Sequence, residues 1–202
     1  VLARAQGPGM ATLAASGTMG AFEAAFLGAV GQWLGTEPIG IVMCGMVGSR
    51  QGWCEAGYLP VPHTLSGLGE AAVGVPAQDG RLAAFIVPGF SQDNPFDVMR
   101  GEESQLAGFA ADCAQRGVAA TGRLCLPGTH AKWVRLEAGM VTHFSTAMTG
   151  ELFSLITEHS ILRHSVAGDG QDDEAFRDSI TAAYHDPACL TEALFSVRAE
   201  GL

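Results

Sequence analysis

The sequence predicts an α/β protein, and three observations carry that reading. Hydrophobic residues fill 48% of the 202 positions and charged residues only 16%, a balance that favours a folded core over disorder. Short β-branched runs such as "IGIVM" and "LAAFIV" have the composition of buried strands. Apolar residues elsewhere recur at spacings of three and four, as in Phe22, Phe26, Val30 and Trp33, the period of an amphipathic helix.

The elements follow in order. A helix is expected over residues 19–34, and "IGIVM" behind Pro38 follows as a buried parallel strand, suggesting a βαβ unit. The stretch "VGSRQGWCEAGYLPVP" is rich in Gly, Pro and aromatics and reads as a loop leaving that strand. In open α/β sheets such loops line the ligand crevice. A short helix is expected over 64–73. "RLAAFIVPGF" supplies a second buried strand, stopped by Pro88-Gly89. After the polar "SQDNP", the segment "FDVMRGEESQLAGFAADC" is expected to be helical, with Asp97 in its first turn. "GRLCLPG" and "AKWVRLEAGMVTHFSTAM" read as strand, turn, strand, hairpin and strand, with Glu137-Ala138-Gly139 as the tight turn. Helices over 150–162, 172–185 and 188–199 close the chain. Asp172 and Asp173 cap the second of these, and Asp186-Pro187 starts the third.

Charge and cysteines exclude whole classes of function. The net charge of −10 and the absence of any Lys/Arg cluster oppose binding to nucleic acid and to anionic lipid. No apolar run reaches the roughly 18 residues that a bilayer demands, so a cytoplasmic protein without a membrane span is expected. The five cysteines, Cys44, Cys54, Cys113, Cys125 and Cys189, are odd in number and form no C-x-x-C pair. Reduced thiols are expected, and a zinc site is not.

Four stretches could carry chemistry. In "PGTHAKW", a Gly-Thr turn between strands can aim backbone N–H groups at a phosphate oxygen, with His130 and the lone lysine, Lys132, as neighbouring donors. The same residues also fit a plain hairpin with an exposed His and a solvated, mobile Lys. In "DVMRGEESQL", Asp97 could accept a proton from a hydroxyl, while Arg100 offers a fork for a carboxylate or phosphate. Glu102 and Glu103 could hold a metal ion or orient Arg100, or simply suit the helix dipole. In "CGMVGSRQGW", Gly45 and Gly48 permit close backbone approach, and Ser49, Arg50 and Gln51 supply polar contacts. In "FSTAMTGELFSLITEHSIL", Thr149 is first an N-cap. No Gly-x-Ser-x-Gly, His-Glu-x-x-His or Walker motif is present.

Taken in this order, "MCGMVGSRQGWCEAGYLPVP", "PGF" with "DVMRGEESQL", "PGTHAKWV" and "FSTAMTGELFSLITEHSIL" resemble the 2-dehydro-3-deoxygalactonokinases. That family looks like a branch of the sugar-kinase/actin/hexokinase superfamily, with a ribonuclease-H-like fold of two lobes. The resemblance implies a kinase that phosphorylates the C6 hydroxyl of 2-dehydro-3-deoxy-D-galactonate in galactonate catabolism, using ATP and Mg2+. It implies that Asp97 is the base, that Ser49, Arg50, Arg100 and Glu102 contact the sugar acid, and that Gly128, Thr129, His130 and Lys132 contact the nucleotide. Metal ligands are not assigned, and a homodimer is compatible with the family. Residues 1–120 would belong to the sugar-acid lobe and 121–202 would begin the nucleotide lobe. Relatives carry an earlier Asp-x-Gly-Thr-Thr strand and a later adenosine region. The chain is therefore expected to be the middle of a longer kinase, unable to turn over ATP by itself. A non-catalytic sugar-acid sensor and a kinase for the 2-dehydro-3-deoxygluconate epimer are the alternatives.

Overall fold

The structure is a computed structural model that describes residues 3–16, 20–166, 172–186 and 190–200. Helices α1 (Met10–Ser16) and α2 (Ala21–Val30) come first. The second is followed by a 3-10 turn, Gly31–Trp33; of the predicted apolar face Phe22, Phe26 and Val30 are half-buried and Trp33 is exposed, while the buried residue of the helix is Glu23. Strand β1 (Ile39–Met43) then runs parallel to β5 (Leu82–Ile86), with Ile39 opposite Leu82 and Met43 opposite Ile86. The parallel pairing agrees with the sequence, but burial does not. β1 is an edge strand, and Val42 is 75% exposed.

Antiparallel β4 (Val73–Gly74) flanks the other side of β5. A second sheet joins β2 (Tyr58–Pro60), β6 (Gly89–Asp93) and β7 (Phe96–Met99) in the order β2-β6-β7. A third has the order β3-β10-β9-β8, built from β3 (His63–Thr64), β8 (Gly122–Leu126), β9 (Ala131–Glu137) and β10 (Met140–Ala147). Four α-helices follow Gly101 among the described residues: α3 (Glu102–Gln115), α4 (Thr149–His159), α5 (Asp173–His185) and α6 (Leu190–Glu200).

Several expectations are corrected. "RLAAFIVPGF" is two strands in different sheets, because Pro88 has no N–H to continue a ladder and the chain leaves β1 for β2 at that point. Residues 64–73 form only a single 3-10 turn, Leu65–Leu68. The largest change concerns Asp97. It lies in β7, opposite Gln92 in an antiparallel hairpin, and the helix starts five residues later at Glu102. "FDVM" alternates faces with period two, and Gly101 at φ 113° makes the corner that begins α3. Thr149 is the first residue of α4, whose N-cap is Met148. Asp172 does cap α5, accepting from the N–H groups of Glu174 and Ala175. Pro187 and Cys189 lie outside the described residues.

The β9–β10 hairpin is as the sequence predicts. Ala138 and Gly139 both have positive φ, 49° and 78°, the signature of a two-residue type I′ turn. β9 alternates cleanly, with Lys132, Val134 and Leu136 buried and Trp133, Arg135 and Glu137 exposed. Val134, Leu136, Val141 and Phe144 meet Leu65, Leu68, Val87, Phe90, Met99 and Leu106 in the main core. A smaller core gathers Ala56, Val75, Ala84 and Ile86.

The chain divides into two compact units. Unit 1 comprises residues 1–126 and 132–147, and unit 2 comprises 127–131 and 148–202. Strands β8 to β10 thus group with unit 1 apart from the turn 127–131 and Ala131, whereas the sequence reading changes lobe at 121. Among the described residues, no helix is long and apolar enough to cross a membrane.

Candidate functional site

In unit 1, three polar side chains from three strands form one chain of hydrogen bonds. Lys132 on β9 is 5% exposed, because the period-two register that buries Val134 and Leu136 also turns it inward. Its ammonium donates to Val98 O on β7 at 2.9 Å and to Thr146 Oγ1 on β10 at 2.8 Å. Thr146 donates in turn to Asp97 Oδ1 at 2.6 Å, and the Val98 N–H reaches the same oxygen at 2.7 Å. Asp97 is half-buried, and its Oδ2 has no hydrogen bond among the described residues. A buried ammonium is costly unless its donors are met, and here two of the three are. Lys132 is therefore not the mobile, solvated cation that the sequence alone allows.

Elsewhere in unit 1, the loop after β1 and the corner between β7 and α3 come together. Gly45, at φ 85°, packs against Gly101, where an added Cβ would lie 3.4 Å from the Gly45 Cα. A Cβ on Gly48 would stand 2.7 Å from Ile86 and 2.8 Å from Arg100 Nη1, so only glycine leaves room for the guanidinium. Arg100 lies over the Tyr58 ring at 4.2 Å, donates from Nε to the Tyr58 hydroxyl and from Nη2 to Gly57 O. Its Nη1 and Ser49 Oγ are buried and have no hydrogen-bond partner among the described residues.

Of the two glutamates, Glu102 accepts the Arg100 backbone N–H at 3.1 Å, so it fixes the corner. Glu103 is fully buried and accepts the Gly101 N–H at 2.6 Å, leaving Oε1 unpartnered. Burial pushes its carboxyl up to about 7, against the opposing pull of its backbone hydrogen bonds. Arg50 is not in this group. It is strongly exposed and pairs with Glu55 at 3.4 Å.

In unit 2 the Gly128–Thr129 turn is bound to the start of α4. Gly150 N–H donates to Gly128 O and Glu151 N–H to Thr129 O, so the first N–H groups of the helix hold the turn. A Cβ on Gly150 would stand 2.8 Å from Gly128 O and 2.9 Å from Thr129 Cα, which makes the helical glycine part of the turn's construction. His130 Nε2 meets Glu151 Oε2 at 2.5 Å. Gly128, Thr129 and His130 are all exposed.

The sequence-predicted residues thus fall into two sets. Asp97, Lys132, Arg100, Ser49 and Glu102 belong to unit 1, and Gly128, Thr129 and His130 to unit 2. Sequence reasoning singled out Gly48 for close backbone approach but gave no site role to Thr146, Tyr58 or Gly150. The alternation Lys132-Val134-Leu136 already pointed Lys132 inward, and Gly150 stood out as a poor helix former in a first turn. No group of three or more His, Cys, Asp or Glu among the described residues could hold a metal ion. These residues therefore offer no all-protein cage for Mg2+.

This α/β protein thus carries, in unit 1, a half-buried carboxylate aimed by a hydroxyl and a guanidinium whose buried Nη1 has no partner among the described residues. The family model described as 2-keto-3-deoxy-galactonokinase matches residues 1–202, and the chain belongs to that family. It is 45% identical over 164 residues to "Probable 2-dehydro-3-deoxygalactonokinase DgoK1" of Rhizobium meliloti (strain 1021), covering 79% of this chain and 52% of that protein. It is 38% identical over 165 residues to the 2-dehydro-3-deoxygalactonokinase of Escherichia coli (strain K12), covering 81% of this chain and again 52% of the relative. The crystal structure of a Sinorhizobium meliloti protein assigned as a 2-dehydro-3-deoxygalactonokinase superposes with a TM-score of 0.81 at 41% identity, over 98% of this chain and 64% of that one. The chain thus spans about half the length of the curated relatives it matches.

Proposed function

We propose that the protein containing this chain is an ATP-dependent kinase that phosphorylates the C6 hydroxyl of 2-dehydro-3-deoxy-D-galactonate, within a two-lobed, ribonuclease-H-like fold in the cytoplasm. One observation supports the chemistry above all. Asp97 has Oδ1 engaged by two donors and Oδ2 open, the arrangement of a base that keeps its orientation while it takes a proton. In this reading Oδ2 accepts the C6 hydroxyl proton as the oxygen bonds to the γ-phosphorus, while the bond from that phosphorus to the β–γ bridging oxygen breaks and ADP leaves. Arg100 takes the substrate carboxylate, Ser49 and Arg50 contact the sugar acid, and Glu102 fixes the Arg100 backbone. The exposed N–H groups of the Gly128–Thr129 turn contact the nucleotide phosphates, with His130 beside them. Magnesium, when bound with ATP, would supply charge neutralisation at the phosphates, and no cluster of carboxylates among the described residues is assigned to it.

The test is ADP release by the full-length protein over a panel of sugar acids. Turnover with 2-dehydro-3-deoxygalactonate, falling by roughly 10²-fold or more in Asp97→Asn with the ATP KM nearly unchanged, is expected. Preference for the gluconate epimer would move the substrate, and absence of turnover would point to a sugar-acid sensor.

A further inference from the structure

We propose that Lys132 and Thr146 are positioning residues that set the proton arrangement at Asp97, and that Lys132 does not contact the nucleotide. The inference rests on the reading of Asp97 as the base, and it follows from the chemistry of the three groups. An ammonium has three donors and no lone pair. Lys132 Nζ, 2.8 Å from Thr146 Oγ1, can only donate to it. The hydroxyl has one proton, and with an acceptor lone pair already taken, that proton points at Asp97 Oδ1, 2.6 Å away. The direction of donation is therefore fixed from Nζ through Oγ1 to Oδ1. An ionised carboxylate only accepts, so Asp97 demands the same direction, and Lys132 fills the hydroxyl's lone pair and holds Oγ1 in place.

The consequence falls on the other oxygen. With Oδ1 receiving both the Thr146 hydroxyl and the Val98 N–H, a proton arriving from substrate goes to Oδ2. The arrangement also holds three strands in one relation. Lys132 stands on β9, Thr146 on β10, and Val98 O, its second acceptor, is the residue after Asp97 on β7. The ammonium is 5% exposed with two of its donors used on these partners. Swinging the stem outward to a nucleotide would break these two hydrogen bonds. A lysine that serves phosphate is instead a mobile point charge at the end of a free stem.

The experiment uses the full-length protein and the ADP-release assay. Thr146→Val keeps the side-chain volume and removes only the hydroxyl. It is expected to lower kcat about tenfold or more, the loss of one charge-assisted hydrogen bond, with the ATP KM held within about twofold. Thr146→Ser restores the hydroxyl and most of the rate. In the Asp97→Asn background, Thr146→Val costs little further, because the group it positions is gone. Lys132→Met likewise lowers kcat and spares the ATP KM. If it fails to fold by circular dichroism, the two Thr146 variants and the double variant decide. An unchanged kcat in Thr146→Val, a full second loss in the double variant, or a Lys132→Met that raises the ATP KM at constant kcat overturns the inference. A near-normal rate in Asp97→Asn is a different result, since it removes the base assignment itself.

Discussion

Glu103 is fully buried at the first turn of α3, and its hydrogen bond from Gly101 offsets only part of the desolvation. Its carboxyl is raised from 4.5 to about 7, so between those values the folded state holds a proton that the unfolded state has released. The folded chain therefore binds more protons, and stability falls as pH rises through that window. Above about pH 7 the cost is fully in place and reaches on the order of 3 kcal/mol. Glu103→Gln keeps an acceptor for Gly101 and cannot ionise. Its stability in urea should change less between pH 5 and pH 8 than that of the parent, and equal slopes for the two would show that Glu103 does not titrate in this range. Lys132 teaches the complementary lesson about reading residues. Its inward direction was legible, because Val134 and Leu136 share its face, whereas its partners Val98 and Thr146 come from other strands and leave no local trace.

At the level of elements, a single amide joins the second and third sheets. Gln92 on β6 is 7% exposed. It accepts the Phe144 N–H at 3.0 Å and donates to Phe144 O at 3.1 Å and to Pro95 O at 3.0 Å, so its side chain acts as a short piece of strand against β10. Because Gln92 lies opposite Asp97 in the β6–β7 hairpin, the same contact seats Asp97 against Thr146. Gln92→Met preserves bulk but strands a buried N–H and two carbonyls. It should cost about 2 kcal/mol or more, measured by urea unfolding, and should also lower kcat. A loss under about 0.5 kcal/mol would mean that water or relaxation replaces the amide. This region is also where the sequence misled. An acidic residue followed by Arg and two Glu imitates a helix start, yet the β6–β7 pairing, a long-range decision that no local propensity records, claims residues 96–99 for a strand.

For the whole molecule, the α/β class, the parallel β1–β5 pair, the β9–β10 hairpin and the late helices were legible because each rests on local periodicity or turn chemistry. Long-range packing then groups these elements, and the chain passes from unit 1 to unit 2 and back around residues 127–131 before leaving again after Ala147. That path makes a definite claim about where the chain can be cut. Val134, Leu136, Val141 and Phe144 are four of the twelve buried residues in the main core, and all of them come from β9 and β10. At about 1.5–3 kcal/mol each, they contribute roughly 6–12 kcal/mol, as much as the entire net stability of an ordinary domain. A fragment ending at residue 120 loses all four and leaves Phe90, Met99 and Leu106 without their facing layer. A fragment ending at residue 147 keeps the core entire. The expected outcome is a cooperative urea transition for 1–147 and none for 1–120, followed by far-ultraviolet circular dichroism. A cooperative transition in the shorter fragment would show that β2, β6, β7 and α3 close a core by themselves and that the hairpin strands join it only as a cover.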